Sequence, residues 1–206
     1  GKGRIMRLFK SVMMLLTLVL LSGWIWTPLF GDDWNRVQAA DDGAFAPLSS
    51  DFAGGSGTEE DPYIIETAEQ LNKVRDYLDA HFKLRADINL STYSSGEGWL
   101  PIATVYSSPF TGTFDGNGYQ ITGLKINRED ENYQSLFGVT SETAVIRNVH
   151  LEVVEIKGYD YIGGLVGYSY GIIENSTVTG TLIRGEMKVG GLAGIVRNDV
   201  IGSSAH

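Results

Sequence analysis

Ile162-Gly-Gly-Leu-Val-Gly167 returns 27 residues later as Val189-Gly-Gly-Leu-Ala-Gly194. Asn148, Leu151 and Ile156 stand at the same distance from Asn175, Val178 and Ile183. A looser copy, Ser135-Leu-Phe-Gly138, is offset by 29. A period of this size marks a stack of supersecondary units. Each unit needs a neighbour above and below to bury its apolar face. A two-layer sandwich would also supply many short strands, but it gives no reason for near-identical blocks at fixed spacing. The repeat therefore predicts a mainly β chain folded as a parallel β-helix.

The stretch before the repeats reads as the start of that stack. Asp61-Pro-Tyr-Ile-Ile65 is a short strand. Thr67-Ala-Glu-Gln70 fits a capping box, in which the Thr hydroxyl takes an orphan N–H and the Gln side chain reaches back. Leu71, Val74 and Leu78 follow at helical spacing. That helix is placed to cover the open end of the stack, where a bare strand edge would invite pairing. Phe82 to Leu90 alternates as one half-buried strand, and Phe110-Thr-Gly-Thr-Phe114 and Tyr119 to Ile126 are strands joined by an Asp115-Gly-Asn-Gly118 turn. Glycine in the repeats suits corners and close approaches between rungs. The repeat turn glycines are Gly138, Gly163, Gly164, Gly167, Gly190, Gly191 and Gly194.

Residues 1–39 differ from the rest. Lys2, Arg4, Arg7 and Lys10 precede a nearly unbroken apolar run from Val12 to Phe30, and Val37-Gln-Ala39 places small residues before Ala40. This is the pattern of a secretory signal peptide cut between Ala39 and Ala40. An uncleaved membrane anchor is the alternative, because the run is about long enough to span. Either way, the membrane is met only through this segment. Residues 40–57 are rich in Asp, Ala, Gly and Ser and read as a linker. The whole chain has a net charge of −9, and the leader holds a basic excess, so the remainder is more acidic still. Nucleic acid is a poor partner for such a surface. The absence of cysteine removes any disulfide framework or thiolate metal site.

Gly163-Gly-Leu-Val-Gly167 with Ile173-Glu-Asn-Ser-Thr177, followed by Gly190-Gly-Leu-Ala-Gly194, resembles the GLUG repeat of bacterial secreted and surface proteins. Ser56 to Ile65, Ala68-Glu-Gln-Leu71, Leu84 to Leu90 and Phe110 to Gly118 look like the segment that precedes those repeats. The resemblance covers roughly residues 54–206. It implies a right-handed parallel β-helix on a large extracellular protein; with the helix start and the onset of the repeats, the chain divides into a cap and first coils over 58–132 and GLUG-type repeats over 133–206. It also implies a secreted or cell-surface location in adhesin-like, S-layer-like or IgA-metallopeptidase contexts. The first copy departs from the pattern by lacking the double Gly. The chain stops in mid-repeat at Ser203-Ser-Ala-His206, so the same β-helix is expected to continue beyond it.

No catalytic constellation is visible. Asp115, Glu152, Glu155, Asp160 and Glu174 are the carboxylates on the coils, and none forms the facing pair that glycoside hydrolysis needs. His81, His150 and His206 make no His-Glu-x-x-His site. Glu59-Glu-Asp61 and Glu129-Asp-Glu131 lack calcium-loop spacing and read as solvated acid clusters. No cofactor or metal is expected. Tyr159, Tyr161, Tyr168 and Tyr170 gather near one turn and are candidates for stacking on a sugar or anchoring a protein, with corner packing as the competing explanation. The expected function is a non-catalytic extracellular β-helix module, an adhesin-like surface or rigid spacer that meets a host or cell-wall glycan or protein. The alternative is an accessory region of a secreted metallopeptidase or polysaccharide-degrading enzyme.

Overall fold

The computed structural model describes residues 51–206 apart from Thr181. The leader, Ala39, Ala40 and residues 40–50 of the linker lie outside the described residues. Short apolar-alternating segments bounded by Gly, Asn and Ser form strands too brief to stand alone. Each finds its hydrogen-bond partner one coil away, in parallel. The first face runs β1 (Tyr63–Ile65), β2 (Phe82–Leu84), β4 (Thr113–Asp115), β7 (Val145–Arg147), β11 (Ile172–Glu174) and β16 (Val200–Ile201). A second face runs β3 (Ile88–Asn89), β5 (Gln120–Asn127), β8 (His150–Lys157), β12 (Thr177–Gly180) and β17 (Ser204–Ala205), and β13 (Ile183–Arg184) also pairs with β8. The third consists of β6 (Phe137–Thr140), β10 (Val166–Ser169) and β15 (Ala193–Val196), and β9 (Asp160–Ile162) pairs with β14 (Met187–Val189). The chain is therefore a parallel β-solenoid.

Register places like on like. Phe82, Phe114, Ile146, Ile173 and Val200 form one inward column, and Ile88, Ile121, Leu151, Val178 and Ala205 another. A fully buried side chain of this size contributes about 1.5–3 kcal/mol, so these columns hold the stack together. Coil length settles along the chain. Phe114 follows Phe82 by 32 residues and Ile146 follows Phe114 by 32, but Ile173 and Val200 each follow by 27. The offset of 29 survives on the third face, where Phe137 opposes Val166, and becomes 27 at Val145 and Ile172. The extra two residues sit in the corner 141–144, closed by the Ala144 N–H donating to the Ser141 carbonyl at 3.2 Å.

Four details differ from the sequence reading. Phe82–Leu90 is not one strand, because the chain turns a corner at 85–87 and its alternation continues on the next face. The helix α1 (Ala68–Lys73) is short and tightens into a 3₁₀ turn at Val74–Asp76. Residues 51–57 are not a free linker. Ala53 and Ile64 are hydrogen-bonded, and Phe52 is buried against Tyr63, Tyr77 and Phe82. Finally, Gly138, Gly167 and Gly194 lie within strands, and none has a positive φ. Their reason is space. A Cβ on Gly167 would stand 2.8 Å from the Gly138 carbonyl oxygen, and one on Gly194 would stand 2.7 Å from that of Gly167. Left-handed torsions are taken instead at the corners, by Asn148, Asn175 and Gly202 in successive coils.

Among the described residues, β14, β15, β16 and β17 pair on one side only. Val200 is 42 % exposed there, whereas its column partner Ile173 is fully buried.

Candidate functional site

The segment before each third-face strand holds a left-handed residue: Tyr133 (φ 62°), Tyr161 within β9 (φ 63°) and Lys188 within β14 (φ 50°). A side chain on such a position costs conformational energy, of order 1–3 kcal/mol, and here the coils stack the three in a row. The Tyr133 and Tyr161 rings are stacked at 5.0 Å and 20°. The Lys188 ammonium lies 4.0 Å over the other side of the column, on Tyr161, and is held by Asp160 Oδ2 at 2.7 Å. That hydrogen bond with Asp160, followed by one with Tyr161, raises the Lys188 pKa. Both neighbours of Tyr161 are thus occupied.

The row continues onto the third face. Tyr161 meets Tyr168 at 5.1 Å, and Tyr168 meets Tyr170 at 5.0 Å. Tyr106, from a loop on the third face between the bridges Ile102 and Phe110 make to β6, meets both edgewise. Hydroxyls link the group: Tyr106 to Tyr170 at 2.6 Å, Tyr168 to Tyr170 at 3.3 Å, and Arg197 Nε to Tyr168 at 3.1 Å. The bond with Tyr170 first, and that donated by Arg197 second, lower the Tyr168 pKa. The bond with Tyr106, then that with Tyr168, raises that of Tyr170. A groove of about 380 Å³ opens beside Tyr106 and Tyr170 and is lined as well by Pro109 and Glu142.

The sequence candidates divide here. Tyr161, Tyr168 and Tyr170 come together. Tyr159 does not join them and lines a separate groove of about 410 Å³ with Glu129, Asp130, Lys157, Arg184 and Glu186. Residues missed from sequence are Tyr106, Tyr133, Lys188, Arg197 and Glu142. Lys188 and Arg197 carried a signal, since they occupy the repeat positions of Tyr161 and Tyr170 one period on. Tyr106 carried none, because its loop belongs to no repeat.

The carboxylates are mostly engaged. Asp115 is paired with Arg147 at 3.0 Å, Glu155 with Lys157 at 3.1 Å and Asp160 with Lys188. Glu131 and Glu129 are likewise paired, with Arg128 at 3.2 Å and Lys157 at 3.9 Å. Among the described residues no cluster of His and carboxylates is grouped to hold a metal. His150 lies at the head of β8, its Nδ1 2.8 Å from Thr177 Oγ1 in the next coil.

Residues 158–183 match the family described as the GLUG motif, and the chain carries that motif. It is 47 % identical over 137 residues to a "Putative Gly-rich membrane protein" of Evansella cellulosilytica, matching 63 % of this chain. It is 36 % identical over 154 residues to halomucin of Haloquadratum walsbyi, matching 71 % of this chain. The chain spans 16 % of the first relative and 2 % of the second. Among solved structures it is similar to "a putative immunoglobulin A1 protease" of Bacteroides ovatus, at 18 % identity and a TM-score of 0.47, covering 75 % of this chain and 70 % of that one.

Proposed function

We propose that this GLUG-bearing chain is a non-catalytic module of the cell surface or extracellular space, presenting an adhesin-like binding surface on a rigid rod. The tyrosine face carries this reading. Coils locked in register hold aromatic rings in a fixed row, so a ligand meets a surface whose ordering has already been paid for in folding. Solenoid faces can vary outward without disturbing the inward columns. The names of the relatives, a Gly-rich membrane protein and a halomucin, fit a surface setting. In this reading the leader exports the chain, α1 caps the first coils, and the winding is right-handed, as parallel crossovers within one sheet are.

Two measurements test it. Fractionated cells should yield the chain outside the cytoplasm, and recovery in the cytosol would refute the location. Incubation with polysaccharides should release no new reducing ends. A cleavage activity lost in Glu152→Gln or Glu174→Gln would refute the non-catalytic role.

A further inference from the structure

We propose that the groove between Tyr106, Tyr170 and Glu142 is a subsite for one pyranose ring of a neutral polysaccharide. This deepens the binding-surface reading above and rests on it. The rings of this face differ in what is already packed on them. Tyr161 already has the Tyr133 ring stacked on it and the Lys188 ammonium 4.0 Å over its ring, so a sugar would have to displace one of them. Tyr168 is buried and its hydroxyl already bonds Arg197 and Tyr170. Tyr106 is 52 % exposed and meets its two aromatic neighbours at 83° and 69°, so neither ring lies flat against it.

The rest of the groove matches the same ligand chemistry. A pyranose has an apolar C–H face and a rim of hydroxyl donors. Tyr106 and the half-buried Pro109 offer apolar surface to the face. Glu142 is exposed and has no ion pair among the described residues, leaving two carboxylate oxygens to accept from hydroxyls. The 2.6 Å bond between the Tyr106 and Tyr170 hydroxyls fixes the wall before any ligand arrives. At about 380 Å³ the groove falls within the range of about 300–1,000 Å³ usual for small-ligand sites. Glu142 and the net charge of −9 disfavour acidic sugars.

Native electrophoresis of the chain through gels containing a β-glucan, an α-glucan or a mannan tests this, with polygalacturonate as the anionic control. Retardation by at least one neutral polymer, and none by polygalacturonate, is expected. Tyr106→Ala should weaken the interaction about tenfold and the near-isosteric Glu142→Gln about fivefold. Tyr159→Ala, in the other groove, should leave it unchanged. No retardation of the parent chain by any neutral polymer, or retardation of Tyr106→Ala and Glu142→Gln equal to the parent's, overturns the proposal. So does binding to a film of serum albumin with none to the polysaccharides, which would make the face a protein site. Cleavage of a retarding polymer would sink the non-catalytic reading and leave the groove standing, whereas absence of retention of the unsubstituted chain sinks the groove alone.

Discussion

Asp115 shows how a residue of unremarkable sequence context acquires a structural task. It ends β4, where its Oδ1 accepts from the Asn117 N–H at 2.8 Å and from Asn148 Nδ2 at 3.0 Å. Its Oδ2 meets Arg147 of the next coil. Burial by itself would raise the carboxyl pKa, but the bonds from Asn148, Asn117 and Arg147 outweigh burial and lower it. Folding therefore favours the ionised form. The stabilisation is complete above the unfolded pKa, near 4, and disappears as pH falls through the folded value. Urea unfolding should show Asp115→Ala less stable than the parent by about 1–3 kcal/mol at pH 7, with the gap narrowing at pH 3. An equal gap at both values would remove the carboxylate as the cause. The turn itself was legible in Asp115-Gly-Asn-Gly118, but its bonds into the neighbouring coil were not, because they join residues 32 and 33 positions apart.

At the scale of elements, the helix was readable because its signals are local. Thr67 Oγ1 accepts from the Gln70 N–H at 3.2 Å. The Gln70 side chain reaches past Thr67 to the Glu66 N–H, at 2.7 Å. Thr67→Ala should cost about 1 kcal/mol, read as a lower denaturation midpoint. No loss would mean that packing of Leu71 and Val74, both fully buried, sets the helix alone. Strand length was less readable. β5 and β8 pair with Ile121 opposite Leu151 and Ile126 opposite Ile156, but the register shifts twice between. Gly123, at φ 75°, adds a residue on β5, and the exposed Val154 adds one on β8. The two bulges cancel, so the apolar columns continue beyond them.

Over the whole molecule, stability is carried by columns that cross coils, and a site is worth what its neighbours above and below supply. Ile146 is flanked by Phe114 and Ile173 and is fully buried. Ile146→Ala should cost about 2–5 kcal/mol. Val200, in the same column but 42 % exposed, should lose far less on the same truncation. Equal losses would show that the coils do not act as stacked neighbours. The tyrosine face belongs to this scale too, for its members come from three coils and one loop outside the repeat.

What the sequence determined by itself was the kind of fold. A fixed 27-residue period with inward apolar positions leaves stacking of like on like as the way to bury every coil's face. It also marked the strands' apolar sides, the Asp115-Gly-Asn-Gly118 turn and the helix start, all of which rest on near neighbours along the chain. Only the tertiary structure decided which glycines are needed for close approach, since that depends on a carbonyl one coil away. It also decided which tyrosine is free to meet a ligand. Tyr161 and Tyr106 are the same chemical group, but the first is enclosed by the coils on either side and the second stands open on a loop.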